Sequence, residues 1–194
     1  MQNLHMYCLT MHDDHLDLIN KIGYLPVGLG KNIKSLGFIR ENKNLNISEK
    51  NPYYGEYTFH YWLWKNGLDN LEDKWIGFCQ YRKFWKKTIN NQPVSTFNSF
   101  NEIILKEIPK TMEEFESILL EDLPVNKFKF SKFIKHNLKT MLFNPILFIN
   151  KKKRTIKFHF DMMHGHGNLD KAIDVMDKKE RSGFREFVNT EVSF

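Results

Sequence analysis

The sequence predicts an α/β protein built on a mostly parallel sheet. Two runs, residues 4–9 and 75–79, are apolar nearly throughout, the pattern of strands covered on both faces. Each gives way at its carboxyl end to polar residues. The first is followed by a short helix pattern, the strand–loop–helix order that starts a doubly wound sheet.

Residues 4–9 form the first predicted strand. Residues 10–14 are the loop at its carboxyl end, where open α/β sheets bind ligands, so Thr10 and His12 are candidate binding residues as well as ordinary loop residues. Asp13 or Asp14 caps a helix that runs to about residue 22 and ends at Gly23. Residues 24–30 read as a second strand or an extended loop. The GLGKN stretch lacks the GxxxxGK[ST] spacing and no helix pattern follows it, which excludes a phosphate loop. Residues 31–45 read as a polar surface loop.

A helix is predicted from 52 to 66, with Asn51 as N-cap, Pro52 at the first position and Gly67 closing it. Tyr54, Tyr57, Tyr61 and Trp64 recur on one face, while Phe59, Trp62 and Leu63 cover much of the rest. A helix apolar nearly all round is expected to be buried. The strand at 75–79 then ends abruptly in Gln80, Tyr81, Arg82 and Lys83, either a solvated strand end or a binding cluster.

Weak helix patterns span 98–107 and 111–116, and 117–120 reads as a strand closed by Glu121, Asp122 and Pro124. Residues 130–143 have the pattern of an amphipathic basic helix stopped at Asn144-Pro145, followed by an apolar run at 146–149. A further strand is expected at 155–160, and helices at 168–176, capped by Asn168, and at 181–188.

At 194 residues the chain is long enough for one domain with a sizeable core, and a single domain over 1–194 is expected. No stretch approaches the roughly 20 apolar residues of a membrane span, and the first residues lack the basic and apolar regions of a signal peptide. Cys8 and Cys79 fall in the predicted strands and read as reduced core thiols, so a cytoplasmic protein is expected. The net charge of +6 is local: residues 123–160 hold ten Lys or Arg and no Asp or Glu, leaving the rest of the chain net acidic. That segment is either a core-packed helix with a solvated lysine face or a surface for a polyanionic partner or an anionic membrane, at the inner face of the cell membrane.

Three stretches resemble a family of bacterial capsular and exopolysaccharide glycosyltransferases. They are NISEKNPYYGEYTFHYWLWKN, WIGFCQYRKFW and HFDMMHGHGNLDKAIDVM, and the likeness spans nearly the whole chain. One departure is Lys83, where the family has a second Arg, which weakens bidentate recognition there. The resemblance implies a GT-A-like fold, a mostly parallel central sheet flanked by helices. It implies transfer of a sugar from a nucleotide-sugar donor to a glycan or lipid-linked glycan acceptor at the cell surface. Relatives in that family continue beyond a TSFNPH-like segment, so a chain ending at Phe194 is expected to be an N-terminal piece with the C-terminal part missing.

Glycosyl transfer requires a nucleotide pocket, charge stabilisation of the leaving diphosphate and a base for the acceptor hydroxyl. The candidate donor-binding residues are Thr10, His12, Asn46, Ser48, Asn51, Lys65, Gln80, Arg82 and Lys83, with the cations and a helix N-terminus suited to phosphate. Asp161, His164 and His166 are the candidate catalytic bases. No two aspartates stand two residues apart, so no Asp-x-Asp metal site, no metal ligand and no definite cofactor is assigned. A divalent metal stays open, with Glu121 and Asp122 as acidic groups.

Other classes stay open as well. The histidines and aspartates of 159–170 also suggest a metallohydrolase, although their spacing matches no metal motif. The basic segment, with Phe128, Phe130 and Phe133 among lysines, suggests a non-enzymatic binding module. No nucleic acid is expected as a partner, because no nucleic-acid motif accompanies the charge. An inactive remnant of the enzyme is the third class.

Overall fold

A computed structural model describes residues 4–71, 75–87, 94–120, 142, 145–146, 150 and 155–190. The chain gathers into two compact units, Met1–Ile118 and Leu119–Phe194.

The first unit is an α/β layer structure around a three-stranded parallel sheet in the order β2-β1-β3. β1 (Leu4–Thr10) is central, with β2 (Leu25–Gly28) on one side and β3 (Trp75–Gln80) on the other. Tyr7 lies opposite Leu25 and Thr10 opposite Gly28, while Leu4 lies opposite Trp75 and Leu9 opposite Gln80. The apolar run of β1 has the cause expected of it: alternate side chains enter two different cores. Leu4, Met6 and Cys8 pack on one face with Ile19, Ile22 and Ile104; Tyr7 and Leu9 pack on the other with Val27, Phe59 and Leu63. Cys8 and Cys79 are neighbours in register, buried and free. β3 is less covered than the sequence predicts. Only Cys79 is buried in it, because β3 is an edge of the sheet among the described residues.

Helix α1 (Leu16–Lys21) follows β1 through a 3₁₀ turn at Asp13–His15, and Gly23 at φ +78° turns the chain into β2. Asp13 caps neither turn. Its carboxylate accepts from the Ser35 and Lys34 N–H groups, which hold it below the usual carboxylate range.

The loop at 31–45 is not a polar surface loop throughout. Ile33 and Phe38 are buried, and Ile39 extends the sheet beside Val27. Glu41 is 1% exposed. Burial pushes its carboxyl above the ordinary carboxylate range, against the opposing pull of nearby backbone N–H groups, Arg40 and the Thr58 hydroxyl.

The predicted helix at 52–66 is two helices, α2 (Asn51–Tyr54) and α3 (Tyr57–Asn66). The break is at Gly55, whose φ of +54° and ψ of −130° suit glycine alone. Asn51 is not a cap but a clamp on that break. Its Nδ2 donates to the Gly55 carbonyl (2.9 Å) and to Thr58 Oγ1 (3.2 Å), and the Thr58 hydroxyl donates to the same carbonyl. The all-round burial predicted for this helix is corrected too: Tyr57 and Trp64 are exposed. A single helix laid on one sheet face buries a stripe, here Thr58, Phe59 and Leu63, and turns its other aromatics outward.

Helix α4 (Phe97–Ile103) starts in a reciprocal capping box between Thr96 and Ser99. Residues 104–108 return beneath the sheet, where Tyr24 donates its hydroxyl to the Leu105 carbonyl (2.6 Å). Residues 117–120 form no strand.

The second unit contains α5 (Ile156–His164), α6 (Asn168–Asp174) and α7 (Lys178–Val188). The strand expected at 155–160 is thus the start of a helix. Thr155 accepts from the Phe158 N–H as its cap, and Phe158 and Met162, four residues apart, supply the buried stripe. Gly167, not Asn168, occupies the cap position of α6. Leu169, Ile173 and Val188 form the core with Phe160 and Phe184 packed on it. The predicted helix at 130–143 lies almost wholly outside the described residues, as do Glu121, Asp122 and the basic run at 151–154. No helix among the described residues is long and apolar enough to cross a membrane.

Candidate functional site

The strand order creates a reversal. The chain leaves β1 for β2 on one side, then returns past β1 to lay down β3 on the other. The helices that follow and precede these strands, α1 and α3, pack on opposite faces. The carboxyl ends of β1 and β3 are therefore the switch point of the sheet, the crevice position at which open α/β sheets bind ligands.

Thr10 ends β1 and is buried. Its Oγ1 accepts from the His12 N–H (3.1 Å) and hydrogen bonds with His15 Nδ1 (2.7 Å). The His15 ring stacks on Tyr81 at 4.1 Å, and His12 meets both rings edge-on. Tyr81 carries the ladder one residue past β3, its N–H donating to the Leu9 carbonyl (3.2 Å), and the chain then turns through the Lys83 N–H to Gln80 carbonyl bond (2.9 Å). That turn exposes Arg82 and Lys83 at the rim, with the Arg82 guanidinium 5.6 Å from the Tyr81 ring centre. Gln80 reaches the other wall, donating its Nε2 to Glu56 Oε2 (2.5 Å) at the start of α3. Among the described residues neither Arg82 nor Lys83 forms an ion pair. The crevice thus combines two free cations, two imidazoles and a fixed amide, a donor-rich rim suited to an oxyanion.

Of the residues expected to bind a donor, Thr10, His12, Gln80, Arg82 and Lys83 gather here. Four others do not. Asn51 is consumed by the Gly55 clamp. Asn46 and Ser48 close on each other, with Asn46 Oδ1 accepting from the Ser48 N–H (3.2 Å) and hydroxyl (2.8 Å). Lys65 stacks on Trp64 at 3.3 Å, near the far end of α3 from Glu56. Nine residues of helix separate them, about 13 Å along its axis.

Asp161 and His166 do meet, within the second unit. Gly165 and Gly167, both at positive φ, turn the chain so that His166 Nδ1 lies 3.4 Å from Asp161 Oδ2. Asp161 is buried and its Oδ1 has no hydrogen-bond partner, while Lys157 approaches Oδ2 at 3.8 Å and also pairs with Asp170. His164 leaves the cluster and packs on the Phe160 ring at 4.5 Å. His164 and Phe160 are i,i+4 neighbours on one face of α5.

His15, Glu56 and Glu41 were not expected from sequence, and Tyr81 was placed in the strand-end cluster without a role of its own. His15 falls within the predicted helix, but its spacing from Thr10 and His12 across a strand–helix junction was a usable signal. Glu41 had no signal, because a carboxylate in a polar loop reads as exposed. A separate cavity of about 930 Å³ runs along β3 past Trp75, Gly77 and Trp85. It is mainly apolar and lies beside the strand, not at its carboxyl end. Among the described residues no group of three or more His, Cys, Asp or Glu side chains gathers as a metal site.

A family model described as a domain of unknown function (DUF4422) matches residues 6–191. No curated protein and no solved structure matches the chain.

Proposed function

The chain belongs to the DUF4422 family, and we propose that it is a glycosyltransferase whose switch-point crevice takes a nucleotide-sugar donor and whose acceptor is a cell-surface glycan. The observation that carries this reading is the pair of unpaired cations, Arg82 and Lys83, presented beside Thr10, His12 and Gln80 where β1 and β3 end. The motif resemblance to capsular and exopolysaccharide glycosyltransferases supports it, since WIGFCQYRKFW is the stretch that builds this rim.

In this reading Arg82, assisted by Lys83, neutralises the charge that builds on the diphosphate as the sugar leaves. Gln80, fixed by Glu56, orients it. Within the second unit, Asp161 with His166 beside it is the candidate pair for acid–base chemistry.

A charge-assisted contact contributes about 1.5–3 kcal/mol to binding. Arg82→Ala is therefore expected to weaken nucleoside diphosphate binding about ten- to a hundredfold. Calorimetry on wild type and variant, with and without a chelator, tests it. If binding is lost to the chelator but unchanged by Arg82→Ala, the leaving group is held by a metal and the role of Arg82 is wrong.

A further inference from the structure

Helix α3 sorts its large side chains by chemistry. Phe59 and Leu63, which carry no polar atom, enter the core beneath it. Tyr57, Tyr61 and Trp64, each with a hydroxyl or an indole N–H, share its outer face. Their spacing of four and then three residues lines them up as one stripe. Tyr57 is 64% and Trp64 58% exposed, Tyr61 is partly exposed, and Tyr53 and Tyr54 on α2 are exposed as well. Large aromatic side chains gathered at the surface in this way mark a binding face.

Charge, ring chemistry and position together decide what that face binds. From residue 46 to 66, Glu49 and Glu56 balance Lys50 and Lys65. The stripe therefore has no excess of cations with which to hold an anionic membrane or a nucleic-acid backbone. A pyranose offers weakly polar C–H groups on its ring face and hydroxyls around its rim. The C–H groups, slightly positive, suit the negative face of an aromatic ring, and the hydroxyls suit a phenol, an indole N–H or an ammonium at the ring's edge. Lys65 supplies that ammonium, its Nζ 3.3 Å from the Trp64 ring centre. As to position, Tyr57 follows Glu56, whose carboxylate accepts from Gln80 at the end of β3. His60, edge-on to Tyr57, packs on Phe78 at 4.3 Å. From there α3 runs back toward the start of β3, carrying the stripe about 10 Å from the crevice.

We propose that Tyr57, Tyr61 and Trp64 form a platform for an uncharged oligosaccharide segment of the acceptor, stacked along α3 with its growing end toward the crevice. The assignment rests on reading the crevice as a site of sugar transfer.

The test titrates the whole chain with cellotetraose, maltotetraose and the tetramer of N-acetylglucosamine, read by saturation-transfer NMR and calorimetry. Wild type is compared with Tyr57→Ala, Trp64→Ala and Trp64→Phe, changes at exposed positions that leave the core intact. At least one tetrasaccharide is expected to bind at millimolar concentration, with saturation entering through its ring C–H groups. Each alanine variant should weaken that binding about two- to tenfold, and Trp64→Phe should keep most of it. Nucleoside diphosphate affinity should stay at the wild-type value in all three. No binding of any tetrasaccharide, or binding unchanged in both alanine variants, overturns the platform and leaves the donor reading standing. Binding to anionic vesicles, or a dimer, that depends on the stripe without any sugar binding gives the face to a membrane or a second copy and overturns the platform likewise. Stripe-dependent sugar binding by a chain that takes no nucleoside diphosphate keeps the platform and overturns the donor reading.

Discussion

Replacing Glu41 by glutamine removes an ionisation from the interior and little else. The carboxyl is 1% exposed and burial raises its pKa, so the folded chain holds a proton that the unfolded chain gives up near pH 4.3, an ordinary value of about that size for Glu. The sign follows from linkage. Below the unfolded value both states are protonated and Glu41 has no pH-dependent effect. As pH rises between the unfolded and the raised folded value, the unfolded state alone loses the proton, and wild type loses stability by up to about 1.4 kcal/mol per pH unit. Above the folded value the penalty is constant. Every other titrating group is common to wild type and Glu41→Gln, so subtracting their stabilities isolates this one. Urea unfolding at intervals from pH 4 to 9, read as midpoints with unchanged m, gives the difference directly. The variant should gain on wild type across that window and then hold its advantage. Parallel curves would show that Glu41 is solvated or already ionised when folded. A wild type that gains on the variant as pH rises would show an ionised Glu41 with a cationic partner, and the argument from burial would be wrong.

Two further changes test the helices over the sheet. Gly55→Ala places a side chain at φ +54° in otherwise open space, so the cost is backbone strain alone, about 1–3 kcal/mol in urea unfolding; unchanged stability would mean the break between α2 and α3 is not there. Leu63→Ala should cost about 2–5 kcal/mol and Trp64→Ala no more than about 0.5, and the reverse order would place the wrong face of α3 against the sheet.

The α/β class and the first and third strands were legible because β1 and β3 are uninterrupted apolar runs, and such runs have few other homes than a covered sheet. The crevice was legible for a related reason: polar residues that follow such a run directly, as Gln80 and Arg82 do, must emerge at a strand end. What the sequence concealed depended on groups distant along the chain. The helix pattern over 52–66 is continuous by residue type, and its break is set by Asn51 and Thr58 gripping the Gly55 carbonyl. The segment at 155–160 alternates like a strand, but a threonine cap and a core contributed by Leu169 and Val188 select the helix. Loop burial at Glu41 depends on Ile39 pairing with Val27, a contact that local pattern does not encode.

The indole of Trp85 donates to the Phe78 carbonyl at 2.8 Å. The segment from Phe78 to Trp85 is therefore a closed ring, cinched by a side chain at its base and crossed by the Lys83 to Gln80 backbone bond within it. The same indole occupies an acceptor that an added strand would need, so it blocks edge pairing at that position. Its larger effect is on the backbone that carries Arg82 and Lys83. A loop tied at both ends has lost its conformational freedom at the moment of folding, and a ligand that settles on it has little further ordering to impose. Under the proposed function, affinity at this rim would be set by charge and shape, with Trp85 holding the backbone that presents them.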